Sequence, residues 1–249
     1  MTIRGSARTF ARAVLPENIL HMWRRRRLLH QAHHLARQAA ALSDPFELWD
    51  ALAQYPAFLP LQRRVEIASL LARLRPLQVQ RVCEIGTASG GTTFLLARAA
   101  APGAVIVTMD LKTRPGQAES LGILGGPDRR LLAFVGDSRD DGMQARVRAA
   151  MDGAPLDLLF IDGDHRYESV RADFRRYRPL VRASGLIAFH DIVPDAHSRA
   201  GAHTPGDTGG VPRFWSELAR IHAGDTEVFV EDPNQDGCGI GVLHVKAST

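Results

Sequence analysis

The chain has 249 residues, of which 45% are hydrophobic and 23% are charged, values that are ordinary for a globular protein. No apolar run reaches the roughly 18 residues that a membrane-spanning helix needs, and the N-terminus lacks a signal-peptide pattern. We therefore expect a cytoplasmic location and no membrane partner. The two cysteines, Cys83 and Cys238, are far apart and form no metal or redox motif and no disulfide framework.

The first 43 residues are strongly basic, with eight arginines and a single acid. The run Arg24–Arg27 leads into apolar residues at helical spacing between Leu28 and Ala39. A basic head can contact nucleic acid or an acidic partner, or it can be the solvated face of a helix. The apolar stripe must pack on something, and a homodimer or higher oligomer is one expectation. We divide the chain into a basic helical extension, residues 1–60, and a main domain, residues 61–249.

From residue 81 onward, short apolar runs alternate with helical stretches. Five runs are predicted to be strands, and residues 227–230 and 240–245 a closing strand pair. This alternation predicts an α/β, Rossmann-like, doubly wound fold with a mostly parallel seven-stranded sheet. Ligands of such sheets bind at the carboxyl ends of the strands. Polar residues follow the predicted strands at these ends: Asp110, Asp137, Asp162, His190 and Asp191.

The loop after the first strand is rich in glycine and begins with an acid. It reads Glu84-Ile-Gly86-Thr87-Ala-Ser89-Gly90, and glycines in such a turn let the backbone approach a ligand. Alanine replaces the middle glycine of the dinucleotide motif, and the acid would repel a pyrophosphate. The loop therefore favours a ligand that carries a cation or an amino-acid group.

This loop resembles the first motif of the class I S-adenosylmethionine (SAM) dependent methyltransferases. The resemblance implies that Asp110 accepts hydrogen bonds from the ribose hydroxyls of SAM, and that Asp137 and Ser138 contact its adenine. The SAM site implied by the resemblance consists of Glu84, Gly86, Thr87, Ser89, Gly90, Asp110, Asp137, Ser138 and Asp162.

Three further segments, residues 160–168, 185–192 and 210–215, resemble a bacterial subfamily of that class. The subfamily includes small-molecule and sugar O-methyltransferases and cephalosporin-hydroxylase-like proteins, and it is more distantly similar to catechol O-methyltransferase. The resemblance implies a divalent metal held by Asp162, His190 and Asp191. Magnesium prefers oxygen ligands, so an imidazole would favour manganese, iron or zinc, unless His190 is not a ligand.

A hydroxyl acceptor must lose its proton during attack on the SAM methyl group, and histidine is the usual base. We expect His165 to take this role and rank His190 second. His165 could instead cap the helix that starts near Tyr167 or contact SAM. The long polar stretch 193–212, which includes His203, follows the fifth strand, and we interpret it as a substrate lid.

The sequence thus predicts a SAM-dependent O-methyltransferase that acts on a hydroxyl of a small metabolite. A sugar or secondary-metabolite acceptor, and with it a role in natural product biosynthesis, follows from the subfamily resemblance alone. One alternative is an RNA or DNA methyltransferase that uses the basic head. Amine methylation of a base would need Asn/Asp-Pro-Pro-aromatic where this chain has Asp162-Gly-Asp-His165, which argues against it. The other alternative is a SAM-binding module without catalysis.

Overall fold

The computed structural model describes residues 16–201 and 207–246. Its strands are β1 (Arg81–Ile85), β2 (Val105–Asp110), β3 (Arg130–Val135), β4 (Leu156–Ile161), β5 (Val181–His190), β6 (Thr226–Phe229) and β7 (Ile240–His244). Its α-helices are α1 (Glu17–Ala39), α2 (Pro45–Ala53), α3 (Arg64–Leu74), α4 (Gly91–Ala99), α5 (Gln117–Gly125), α6 (Asp141–Ala150), α7 (Tyr167–Tyr177), α8 (Ala196–Arg199) and α9 (Val211–Ile221).

The strands form one sheet in the order β3-β2-β1-β4-β5-β7-β6. The first five strands run parallel, and β7 pairs antiparallel with both β5 and β6. The fold predicted from the sequence, including the closing strand pair, is confirmed. The chain leaves β1 toward β2 and β3 and later returns to the other side of β1 with β4. The order therefore reverses between β1 and β4, which is where doubly wound sheets bind ligands.

Alternate residues of the strands enter two separate hydrophobic layers, as the two-residue period of a strand requires. On β1, Val82 packs with the layer of helices α1 to α5, and Cys83 packs with the layer of α6, α7 and α9. On β4, Leu158 and Leu159 divide in the same way. Both faces of the sheet are thus covered, which explains why most residues of its central strands are apolar.

The N-terminal helices belong to the first of these layers. Leu35 of α1 and Leu48 of α2 are fully buried in the same cluster as the sheet residues. The Arg98 guanidinium donates hydrogen bonds to the carbonyls of Ala39, Ala40 and Leu42 and so holds the end of α1 against α4. The division of the chain at residue 60 stays a prediction.

Two stretches show more structure than the sequence indicates. Helix α5 was not predicted, because Gly122 interrupts its apolar pattern and lowers its helix propensity. The proposed lid contains α8, whose first turn is capped by Asp195. His203 of that lid lies outside the described residues. In the part of the chain that the structure describes, no helix is both long enough and apolar enough to cross a membrane.

Candidate active site

A cavity of about 460 Å³ opens at the carboxyl ends of β1, β2, β3, β4 and β5, within the range of roughly 300–1,000 Å³ that is usual for small-molecule sites. It covers the reversal of strand order between β1 and β4. The predicted site residues that line it are Gly86, Asp110, Asp137, Ser138, Asp162, His165, His190 and Asp191. Five of the nine residues expected to bind SAM therefore share one cavity with the residues expected to hold a metal or a proton.

The glycine loop approaches the end of β4 so closely that Gly86 is required. Its φ is +100°, and a Cβ atom there would lie 1.8 Å from the carbonyl oxygen of Asp162. Gly90, with φ of +84°, starts α4. The backbone amides of Gly86 and Thr87 both donate to the carbonyl of Met109, at 2.9 and 3.2 Å. The loop is thereby tied to β2 and β4 at once.

Three of the residues predicted to bind SAM turn their side chains into the protein rather than into the cavity. Glu84 is fully buried and accepts hydrogen bonds from Thr93 and Thr108. Burial raises the pKa of Glu84 to about 8 despite these hydrogen bonds. The hydroxyl of Thr87 lies 2.7 Å from that of Thr108, and the hydroxyl of Ser89 donates to the carbonyl of Leu59. These contacts shape the loop, and direct contact of these side chains with SAM stays a prediction.

The acid after β2 lines the cavity and also supports the glycine loop. Asp110 accepts a hydrogen bond from the Ala88 amide at 2.9 Å, using Oδ2. Its other oxygen is 3.3 Å from the amide of Lys112. A carboxylate has about four acceptor positions, so hydroxyls of a ribose can still donate to it. Asp110 therefore suits the role that the resemblance implies.

The acid after β3 is paired with an arginine that also lines the cavity. Arg139 binds both carboxylate oxygens of Asp137, and the nearer contact is 2.6 Å. Hydrogen bonds from the side chain and amide of Arg139 lower the pKa of Asp137 to about 2. Ser138 donates to Asp173 of α7 at 2.6 Å, and burial raises the pKa of Asp173 to about 6. Adenine would therefore meet an ion pair at this end of the cavity rather than a lone carboxylate.

Two carboxylates and two imidazoles converge after β4 and β5. The Nδ1 atom of His190 is 3.2 Å from Asp162 Oδ1 and 3.3 Å from Asp191 Oδ2. The Nε2 atom of His165 is 3.5 and 3.4 Å from the same two atoms. Asp191 reaches this position with a φ of +62°, which a residue other than glycine rarely adopts. Such strain is typical of residues held in place for function.

The electrostatics of this cluster are those of two acids that stabilise two imidazolium ions. Burial works against each charge, but the neighbouring His190 and His165 lower the pKa of Asp162. Burial alone would lower the pKa of His165, and the carboxylates of Asp162 and Asp191 outweigh it and raise that pKa to about 9. The pKa of His190 is raised for the same reason.

The same cluster fits a divalent cation. One ligand atom from each of Asp162, His190 and Asp191 lies within 4.8 Å of the other two. The second oxygen of Asp162 accepts a hydrogen bond from the side-chain Nε2 of Gln62 at 2.6 Å. The side-chain oxygen of Gln62 in turn accepts one from the hydroxyl of Thr92. Hydrogen-bonded carboxylates of this kind are typical of metal ligands that must keep one orientation.

Sequence reasoning missed three residues of this site. Gln62 is far from Asp162 in the chain, and no local pattern marks it. Arg139 follows Asp137 by two residues and could have been recognised as its partner. Asp173 lies on the buried face of α7. An acid at a buried position of a helix indicates a polar partner, and this pattern could have marked Asp173.

The proposed lid contacts the base candidate directly. The carbonyl of Asp207 is 2.5 Å from His165 Nδ1, and the Gly210 amide donates to the carbonyl of His165 at 2.7 Å. Closure of this loop over a substrate stays a prediction. The contact does fix the imidazole, because an Nδ1 proton donated to a carbonyl leaves Nε2 facing the two acids.

The sheet order, the glycine loop and the acid after β2 define the class I, SAM-dependent methyltransferase fold. Residues 83–192 match the family model described as a methyltransferase domain. This part of the chain is therefore similar to a methyltransferase domain. The chain is 33% identical over 118 residues to a catechol O-methyltransferase of Mycobacterium tuberculosis. The aligned segment makes up 47% of this chain and 50% of that protein. An uncharacterized protein of Sinorhizobium fredii is 29% identical over 69% of this chain, which spans only 18% of that protein.

Solved structures share the fold at low sequence identity. Cofactor-bound Rv0187 from MTB has a TM-score of 0.60 at 22% identity and covers 85% of this chain and 94% of its own. The O-methyltransferase TomG of Streptomyces achromogenes, in complex with SAM, has a TM-score of 0.55 at 20% identity. The match covers 88% of this chain and 90% of the TomG chain. MycE of the mycinamycin pathway, in complex with Mg and SAH, has a TM-score of 0.52 at 18% identity. The match covers 83% of this chain and 55% of the MycE chain.

Proposed function

We propose that this protein is an O-methyltransferase that moves the methyl group of SAM to a hydroxyl of a small metabolite. The observation that carries the proposal is the single cavity that joins the glycine loop and Asp110 to the cluster of Asp162, His165, His190 and Asp191. A donor held along the first group would present its methyl toward the second. The catechol O-methyltransferase relative and TomG support transfer to oxygen.

Alignment of donor and acceptor is expected to supply most of the rate, because the displacement needs the two reacting atoms held in line. Gly86 lets the backbone of the loop lie against the donor, and Asp110 holds its ribose. The exposed side chains of Leu61 and Leu111 at the cavity wall offer apolar contact to the donor. The Arg139–Asp137 pair would meet the adenine edge.

A divalent cation would be held by Asp162 and Asp191, with His190 either as a third ligand or as a donor to them. When bound, such a cation acidifies and orients an acceptor hydroxyl. MycE, which binds Mg, supports the proposal. Oxygen ligands from the two acids suit magnesium, and a nitrogen ligand from His190 would favour manganese, iron or zinc.

His165 is proposed as the base, through Nε2. With a pKa of about 9 the imidazole holds a proton at neutral pH in the described form. It becomes able to accept one when another positive charge shares Asp162 and Asp191, because those two acids are what stabilises its own charge. Proton removal by His165 and neutralisation of the acids are therefore linked.

The test has two stages. Calorimetric titration with SAH should show binding, and failure at this stage would contradict the SAM site itself. Methyl transfer from labelled SAM to a panel of catechols, sugars and hydroxylated secondary metabolites should then be measured with chelator, Mg²⁺ or Mn²⁺. Transfer to an acceptor supports the proposal. SAH binding without transfer to any acceptor, under any of these conditions, would favour a SAM-binding module.

The proposed reaction also indicates which partners the protein has. We propose a small hydroxylated acceptor rather than nucleic acid, a cytoplasmic location, and a homodimer or higher homo-oligomer. A mobility shift with RNA that weakens steeply with salt would instead favour nucleic acid as the substrate.

A further inference from the structure

A second group of metal-binding side chains meets at His190. A carboxylate oxygen of Glu66, a ring nitrogen of His190 and the Sγ atom of Cys238 lie within 4.8 Å of one another. Glu66 is fully buried, His190 is 3% exposed, and Cys238 is half-buried. Glu66 and Cys238 are outside the set of residues that line the SAM cavity. The three come from α3, the end of β5 and the loop before β7, so the group joins separate parts of the fold.

The imidazole of His190 has one nitrogen engaged and one free. Its Nδ1 faces Asp162 and Asp191 at 3.2 and 3.3 Å. Its Nε2 is buried and has no hydrogen-bond partner among the described residues. A metal ion bound at Nε2 would displace the proton there, while the Nδ1 proton stays donated to the two acids. A carboxylate at the far nitrogen is also the arrangement that orients metal-bound histidines in general.

We propose that Glu66, His190 through Nε2 and Cys238 form a second metal site, which takes a zinc-type transition-metal cation. A ligand set of one sulfur, one nitrogen and one oxygen suits zinc. It disfavours magnesium and calcium, which prefer oxygen ligands. Zinc bonds of roughly 2.0–2.3 Å require the three atoms to move together slightly. A solvent molecule can complete the tetrahedron, because Cys238 is not fully buried.

The surroundings of the group suit this role. Glu66 accepts from the Gln235 amide at 2.6 Å and from the Gly239 backbone at 2.9 Å, which fixes both carboxylate oxygens and leaves each an acceptor position. A φ of +60° places Cys238 in a conformation that its neighbours must hold.

Occupation of this site would make His190 a positioning residue for the active site. With Nε2 on the metal, the Nδ1 proton stays directed at Asp162 and Asp191. The two acids are then left to bind a separate cation through oxygen alone. The second site needs no SAM and no acceptor, so it can be tested independently of methyl transfer.

Cobalt reports directly on a cysteine ligand. The protein, freed of metal by a chelator, should be titrated with Co²⁺ and followed in the near ultraviolet. We expect a thiolate-to-cobalt charge-transfer band that saturates at one equivalent. Cys238→Ser should abolish the band. The matched control, Cys83→Ala, removes the other cysteine and should retain it, and Asp191→Asn should retain it as well because Asp191 belongs to the other site.

Alkylation of the unaltered chain gives a second measurement that does not depend on a variant folding. Zn²⁺ should slow modification of Cys238 by about tenfold or more, as followed by mass spectrometry, and Mg²⁺ should leave its rate unchanged. Bound cobalt without the charge-transfer band, a band that survives in Cys238→Ser, or alkylation that zinc does not slow would each overturn the proposal.

Discussion

At the scale of single residues, Asp110 supports the glycine loop and is proposed to bind the ribose of SAM. Its Oδ2 atom supports the Ala88 amide, and its remaining acceptor positions face the cavity. Asp110→Ala would remove the proposed partner of the ribose together with the support of the Ala88 amide, and a hydrogen bond to a charged group contributes about 1.5–3 kcal/mol. We expect SAH affinity to fall by roughly 10- to 100-fold.

Calorimetry measures this effect, and Asp128→Ala is the control, since Asp128 is an exposed aspartate in the turn before β3. The control should bind SAH as the unaltered protein does. If Asp110→Ala also bound SAH with full affinity, Asp110 would serve the loop alone, and the ribose would have to be held elsewhere.

Glu84 should make the stability of the protein depend on pH. Burial raises its pKa to about 8 in the folded chain, whereas in the unfolded chain it ionises near its ordinary value of 4.5. Between these two values the folded chain holds a proton that the unfolded chain releases, so the free energy of unfolding falls as pH rises. Glu84→Gln cannot ionise and should escape this fall, which is on the order of a few kcal/mol.

The measurement is urea unfolding of Glu84→Gln and of the unaltered protein at pH 5, 6, 7 and 8. The advantage of the variant should grow steadily over this range. Glu168→Gln, which changes an exposed glutamate of α7, should show a difference that does not vary with pH. A constant difference for Glu84→Gln would mean that Glu84 ionises normally in the folded chain.

At the scale of secondary-structure elements, the close approach of β1 and β4 depends on Gly86. An alanine Cβ there would overlap the Asp162 carbonyl, and the φ of +100° is strained for any other residue. We expect Gly86→Ala to lower the free energy of unfolding by about 3 kcal/mol or more. Gly122→Ala, inside α5 with no heavy atom within 4 Å of its Cβ, should instead gain roughly 0.5–1 kcal/mol.

Urea unfolding of the two alanine variants compares them directly. Near-native stability of Gly86→Ala would show that the two strand ends can separate without cost, and the geometry of the glycine loop would then lose its explanation. A loss of stability in Gly122→Ala would point to a contact of α5 that the structure does not contain.

The elements also show what a single sequence can and cannot predict. Strand ends were predictable, because an apolar run followed by Asp110 or Asp162 is a local signal. The partner that orients Asp162, Gln62, was not, because the hydrogen bond joins residues 100 positions apart. The inward orientation of Glu84 was equally hidden, since it depends on Thr93 and Thr108 in other elements. Local patterns therefore predicted the site's location but not the hydrogen bonds that position its side chains.

At the scale of the whole molecule, the basic N-terminal helices can either unfold together with the sheet or form a unit that unfolds independently of it. Leu35 of α1 is fully buried in a cluster that includes Val82 and Phe160 of the sheet, whereas Trp23 in the first half of the same helix is 67% exposed. A shared core predicts one cooperative transition. Leu35→Ala should therefore destabilise the entire protein, by about 2–5 kcal/mol as for other buried leucines.

Trp23→Ala is the matched change on the exposed half of α1 and should alter the free energy of unfolding by less than about 0.5 kcal/mol. Urea unfolding followed by far-ultraviolet circular dichroism and by tryptophan fluorescence separates the two views of the extension. In Leu35→Ala the two signals should move together to lower urea, because Trp49 in α2 and Trp215 in α9 then report the same event. An early transition in one signal, with the other unchanged, would make the N-terminal helices an independent unit.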